Sequence, residues 1–66
     1  MKKLIGLRAE NGVSQDKMAE IIGTSKNAYY QKEIGKREFK LSEIKKIEKY
    51  FKLNQLVLYN IFFREE

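Results

Sequence analysis

The 66-residue sequence contains no cysteine, no histidine and no proline. Without cysteine there are no disulfides and no thiolate metal sites, and the chain is compatible with a reducing cytosol. Without histidine, the commonest general base and the commonest zinc ligand are missing. No secretion signal is recognisable, and no apolar run approaches the roughly 18 residues of a membrane span. These absences predict a soluble, cytoplasmic protein with no metal, no cofactor and no membrane partner.

Charge gives the first positive indication of a partner. Lysine and arginine number 14 against 9 acidic residues, so the net charge is +5. Such a chain is attracted to polyanions. Many small proteins are basic by chance, however, so the positions of the charges must decide whether nucleic acid is the partner.

Apolar spacing is helical throughout, and no stretch shows the alternation of a strand. A first helix is predicted over residues 2–11, ended by Asn11 and Gly12. A basic connector, residues 36–40, precedes a fourth helix, and Asn54 caps a fifth. The chain is short enough to be one all-α domain with a small core. The apolar positions that mark the first and fourth helices are Leu4, Ile5, Leu7, Leu41, Ile44, Ile47 and Phe51.

Two short helices stand between these. Ser14 is a good N-cap for the second helix, which Gly23 ends in a left-handed conformation. Thr24 or Ser25 caps the third helix, and Gly35 closes it. The apolar positions of the second helix are Met18, Ala19 and Ile22.

Short helices joined at a glycine are typical of a helix-turn-helix, whose second helix lies in the major groove of DNA. Ala19 suits this interpretation, because a small side chain lets the two helices cross closely. Gly23 and Ala19 fit an ordinary helical hairpin equally well. These two residues alone leave both interpretations open.

A longer motif favours the first interpretation. Its residues are Leu7, Arg8, Gly12, Ser14, Gln15, Met18, Ala19, Gly23, Ser25, Tyr29, Glu33, Gly35 and Lys36. In order and spacing, residues 7–58 resemble the phage Cro/repressor-like helix-turn-helix family, also called the XRE family. Two positions depart from its pattern: Lys32 stands where an apolar residue is usual, and Phe39 stands in a region where proline is common. The placement of Lys32, in the core or towards DNA, is therefore open.

The resemblance implies a five-helix, lambda-repressor-like domain over residues 1–66, with the helix-turn-helix at about 14–33. It implies a double-stranded DNA-binding transcriptional regulator of phage or mobile-element type, acting as a repressor in the prokaryotic cytoplasm, at the nucleoid. It also implies a partly buried ion pair between Arg8 and Glu33.

The third helix carries side chains suited to base edges. Asn and Gln pair with adenine, and Lys pairs with guanine. Lys26, Asn27 and Gln31 share one face and coincide with base-contacting positions of the family, and Tyr30 is adjacent. The alternative is a solvated helix face. The residues expected to hold phosphate groups are Gln15, Ser25, Lys36, Arg37 and Lys40.

The C-terminal helix, about residues 54–63, is more apolar than core closure requires. Seven of the eight residues from Leu56 to Phe63 are apolar, whereas one apolar stripe would suffice. The excess predicts a partner surface. The family resemblance implies a homodimer on a two-fold symmetric operator, and we expect Leu56, Tyr59, Phe62 and Phe63 to contribute to it. The alternative is that Phe62 or Phe63 folds back over the core.

Three classes of function compete at this point. A sequence-specific DNA-binding regulator is favoured, and a protein-interaction module acting through the apolar C-terminal helix is the alternative. An enzyme ranks last, because the sequence shows no nucleophile with a neighbouring base, no metal-ligand cluster and no phosphate-cradling loop. No small-molecule ligand is evident.

Overall fold

Five α-helices form the secondary structure of the part of the chain that the structure describes. The computed structural model describes residues 1–64. Within that range there is no strand, and the predicted all-α, five-helix fold is confirmed. The helices are α1 (Lys2–Glu10), α2 (Gln15–Ile22), α3 (Lys26–Glu33), α4 (Leu41–Phe51) and α5 (Gln55–Phe62).

Local hydrogen bonds fix the helix boundaries where the sequence predicted them. The side chains of Ser14, Ser25 and Asn54 each accept a hydrogen bond from the backbone amide three residues later, at 3.0, 3.1 and 2.9 Å respectively. These caps start α2, α3 and α5, so Ser25 rather than Thr24 caps α3. Gly23, with φ 77°, ends α2 in the left-handed conformation that other residues rarely adopt.

The core lies where α2 packs against α3 and α4, and where α1 packs against α5. Leu41, predicted as part of the apolar stripe of α4, is instead exposed. It is the first residue of the helix and lies at the end of the stripe, whose burial begins with Ile44. The buried apolar residues are Leu4, Met18, Ala19, Ile22, Tyr29, Ile44, Ile47 and Ile61.

Phe39 joins two parts of the core from the connector between α3 and α4. Its ring lies edge-on to Tyr29 at 6.1 Å and to Phe62 at 5.3 Å between centroids. Such edge-to-face pairs add to the gain from burial. Phe62 is consequently half-buried and packs on the core of its own chain, as in the alternative left open by the sequence, and its contribution to a dimer surface stays a prediction.

Lys32 lies in the interior rather than towards the outer face of α3. Its Nζ is 2.6 Å from both carboxylate oxygens of Glu43, and the two side chains are each 8% exposed. Glu43 also accepts a 2.9 Å hydrogen bond from the Lys40 amide at the start of α4. Burial alone would raise the pKa of Glu43, but the hydrogen bonds from Lys32 and Lys40 outweigh it and leave that pKa below its ordinary value.

Candidate nucleic-acid interface

The outer face of α3 is polar and accessible. Lys26, Asn27 and Tyr30 are exposed, and Gln31 is half-buried beside them. The opposite face, with Tyr29, Lys32 and Glu33, is buried in the domain. The helix therefore presents all four predicted base-reading residues along one side, with Gln31 closest to the body of the protein.

The start of α2 lies on the same side as the start of α3. Ser14 caps the amide of Lys17, and helix geometry leaves the amides of Gln15 and Asp16 without a partner inside the helix. Asp16 Oδ1 lies 3.7 Å from Lys26 Nζ, which shows how near the two helix starts are. Side chains at the starts of α2 and α3 thus lie next to each other.

Behind this surface, Glu33 is the centre of a polar network. Its Oε2 accepts hydrogen bonds from Arg8 Nε at 2.8 Å and from the Tyr29 hydroxyl at 2.6 Å. Its Oε1 accepts from Arg8 Nη2 at 3.2 Å and from Gln15 Nε2 at 3.0 Å. The side chains of Arg8 and Glu33 are 18% and 2% exposed. The structure therefore brings the predicted ion pair together and joins α1, α2 and α3 through one carboxylate.

The network perturbs the acidity of its members. Burial alone would raise the pKa of Glu33, but hydrogen bonds from Arg8, Tyr29 and Gln15 hold it below its ordinary value. Burial and the neighbouring carboxylate raise the pKa of Tyr29. Glu33 is therefore ionised, and Tyr29 is a hydrogen-bond donor, at neutral pH.

Gln15, the predicted phosphate anchor, also takes part in the interior network. Its side chain is half-buried, and its amide nitrogen donates to Glu33. A side-chain amide nitrogen carries two hydrogens, so one remains for a phosphate oxygen. The position of Gln15 is thus fixed by the interior network before any ligand binds.

The connector after α3 turns back onto the end of that helix. Gly35, with φ 87°, makes the turn. The amides of Lys36 and Arg37 then donate to the Gln31 carbonyl at 2.8 and 3.2 Å. The side chains of Lys36, Arg37 and Lys40 are exposed, as is the capping residue Ser25. These four phosphate candidates therefore lie at or next to the two ends of α3.

A separate apolar surface covers part of α5. Leu56, Tyr59 and Phe63 are each more than half exposed, and the rings of Tyr59 and Phe63 stack at 6.1 Å between centroids. We call these three residues the α5 face. Ile61 is buried, so the helix uses its other side to close the core.

Sequence reasoning missed three functional contacts. The Tyr29 hydroxyl bond to Glu33 spans four residues of a helix, a spacing that could have been recognised. The contacts of Asp16 with Lys26 and of Lys32 with Glu43 join different helices. No local pattern in the sequence indicates such tertiary pairs.

Comparison with known proteins gives one match. A family model described as helix-turn-helix covers residues 4–54, from α1 to the cap of α5. No curated protein and no solved structure matches the chain. Within residues 1–64, no helix has the length and apolar character needed to cross a membrane, and no group of acidic side chains is placed to hold a metal ion.

Proposed function

This chain belongs to the XRE-type helix-turn-helix family of DNA-binding regulators, and from that membership we propose that it is a sequence-specific repressor of phage or mobile-element type. We propose further that α3 reads base edges in the major groove of its operator. One observation carries the proposal: α3 presents Lys26, Asn27 and Tyr30 outward, while its other side is buried in the domain.

The chemistry of this face matches the donors and acceptors of base pairs. Asn27 and Gln31 each carry an amide that can bond adenine N6 and N7 together, and Lys26 suits guanine O6 and N7. Tyr30 offers a hydroxyl for phosphate and a ring for a thymine methyl group. Lys26 and Asn27 begin the helix, which is the end that enters the groove in helix-turn-helix complexes.

Phosphate contacts surround the reading face in this proposal. On one side lie the backbone amides at the start of α2, the side-chain amide of Gln15 and the hydroxyl of Ser25. Lys36, Arg37 and Lys40 lie beyond the other end of α3. Contacts on both sides fix the register of the helix along the groove without choosing a sequence.

Self-association through the α5 face completes the proposal. Leu56, Tyr59 and Phe63 form an exposed apolar surface away from the core. A two-fold pairing of this surface would carry two copies of α3 to successive turns of DNA, about 34 Å apart. The operator would then be two-fold symmetric.

The test separates residues that read the DNA sequence from residues that bind the DNA backbone. A random-pool selection first defines the operator, and scrambled DNA of equal length is the reference. Asn27→Ala and Gln31→Ala are expected to weaken operator binding by about 1–3 kcal/mol, with almost no effect on scrambled DNA. Gln55→Ala removes an exposed amide from α5 and serves as the matched control, with no effect on either DNA.

Lys36→Ala and Arg37→Ala are expected to behave in the opposite way. Each should weaken binding to both DNAs about equally and lower the salt slope by roughly one unit, because one phosphate contact is lost. Equal losses on both DNAs for the Asn27 and Gln31 variants would show that α3 does not read the sequence.

A further inference from the structure

An acidic side chain stands on the surface that the proposed function assigns to DNA. Asp16, in the first turn of α2, places Oδ1 3.7 Å from Lys26 Nζ, in the first turn of α3. The two side chains remain 70% and 61% exposed. This pair therefore joins the start of α2 to the start of α3. In the proposed function, α2 crosses the DNA backbone and α3 reads the bases.

Stability does not account for this placement. An exposed ion pair contributes only about 0–1 kcal/mol to folding. An acidic residue in a first turn does gain from the helix dipole, but it gains equally on any side of the helix. Facing DNA, by contrast, a carboxylate is repelled by phosphate groups, so its presence there weakens binding to every sequence.

We propose that Asp16 is a specificity determinant that acts through Lys26. In this inference, which rests on the proposed function, the carboxylate holds the Lys26 ammonium at the start of α3, where base edges are met. It also keeps that ammonium from the phosphate groups of unrelated sequences. Asp16 is a positioning residue here, because it acts through Lys26 rather than on DNA directly.

The properties of lysine make such a restraint effective. Its ammonium is a point charge on a flexible four-carbon stem, so a free Lys26 can reach either a phosphate or a base. Phosphate contacts supply essentially all of the affinity for non-specific DNA. Specificity is a difference between two affinities, and it increases when the wrong complex is weakened. Asp16 lowers the affinity for unrelated DNA more than that for the operator.

The α2 helix offers a matched control. Glu20 is also exposed and pairs with a lysine of its own helix, Lys17, at 3.3 Å. Asp16→Asn and Glu20→Gln change the net charge by the same amount and preserve side-chain size. They differ in that only Asp16 contacts the reading helix. The effect of the change in net charge is therefore common to both variants.

The experiment measures the affinity of each variant for operator and scrambled DNA across a salt series. Asp16→Asn is expected to increase the salt slope on scrambled DNA by about one unit, because Lys26 gains a phosphate contact. The ratio of operator to scrambled affinity should fall by roughly tenfold, within the range attributed to one base-reading pair. Asp16→Glu should keep more of this ratio than Asp16→Asn does, and Glu20→Gln should leave the ratio at its wild-type value.

A second experiment, in the Lys26→Met background, tests whether the effect of Asp16 on specificity acts through Lys26. In Lys26→Met, the change Asp16→Asn should have no more effect than Glu20→Gln, because the restrained ammonium is absent. Equal behaviour of Asp16→Asn and Glu20→Gln in the wild-type background overturns the inference. A loss of specificity that persists in Lys26→Met also overturns it, since Asp16 would then contact a base itself, as a carboxylate can contact cytosine N4.

The same data separate this inference from the proposed function. If the wild-type protein binds operator and scrambled DNA equally, the proposed function fails and the inference fails with it. If the wild-type protein discriminates while the two charge variants behave alike, only the role of Asp16 is rejected.

Discussion

Lys32 and Glu43 form a buried ion pair that links the last turn of α3 to the first turn of α4. The ammonium is 2.6 Å from both carboxylate oxygens, and neither side chain is more than 8% exposed. Lys32 stands at the position where the family pattern usually has an apolar residue. The pair holds together the two helices that flank the connector with Lys36, Arg37 and Lys40.

Removing one partner of this pair should strongly lower the free energy of unfolding. Glu43→Ala leaves a buried ammonium without a partner and is expected to lower the free energy of unfolding by about 3–5 kcal/mol. The double variant Lys32→Met/Glu43→Leu should lose much less, because no charge remains to be compensated. Urea unfolding of both variants and of Lys32→Met measures the difference. A double variant as unstable as Glu43→Ala would show that the pair contributes net stability beyond charge compensation.

Glu33→Ala is expected to lower stability by roughly 3 kcal/mol, because the largely buried Arg8 then loses its counter-charge. The matched control is Glu20→Ala, which removes a carboxylate that is 73% exposed and should cost less than about 1 kcal/mol. Thermal and urea unfolding give both values. Similar small losses for the two variants would contradict the structural importance of the Glu33 network.

Stability should decrease in acid. The pKa values of Glu33 and Glu43 are lower in the folded chain than their ordinary value of 4.5. As the pH falls below that value, the unfolded state takes up protons first, so unfolding is favoured. The contribution of the two carboxylates is therefore complete at neutral pH and is lost as the pH falls through their folded pKa values. Urea midpoints measured from pH 7 downwards should show this decline.

The Lys32→Met/Glu43→Leu variant tests the origin of the acid effect. It retains Glu33 but lacks the second perturbed carboxylate, so its stability should fall less steeply with decreasing pH. An unchanged pH dependence would exclude Glu43 as a source of the effect.

The α5 face should control self-association. Tyr59→Glu places a charge within an exposed apolar surface and is expected to shift the protein towards monomer, and to weaken operator binding, without unfolding it. Phe62→Ala is the contrasting variant, because Phe62 packs against Phe39 in the same chain. Because Phe62 is half-buried, this variant should lose less stability than the about 3–5 kcal/mol expected for a fully buried aromatic ring. Analytical ultracentrifugation showing only monomer for the wild-type protein at micromolar concentration would reject the dimer.

Much of the fold follows from local signals in the sequence. Ser14, Ser25 and Asn54 are capping residues whose side chains can bond a neighbouring amide, and each starts a helix. Gly23 supplies the left-handed conformation that a short turn needs. These interactions span a few residues, so they can be recognised in the local sequence.

The parts that sequence did not predict depend on tertiary packing. The direction of Lys32 was decided by Glu43, which lies eleven residues away across the connector. The sequence left Phe62 open between a partner surface and its own core, and Phe39 packs against it in the same chain. The side chain of Gln15, predicted to hold phosphate, also donates to a carboxylate from another helix, and the sequence did not show this contact. In each case the deciding group is distant in sequence.

The Glu33 carboxylate has a consequence for how relatives of this chain can vary. Its two oxygens accept four hydrogen bonds from three different side chains, and each donor belongs to a different helix. A substitution of any one donor leaves the other bonds in place but removes part of the compensation for a buried charge. Substitution at one of these positions is therefore expected to be accompanied by changes at the others. Across related sequences, the residues expected to covary as a group are Arg8, Gln15, Tyr29 and Glu33.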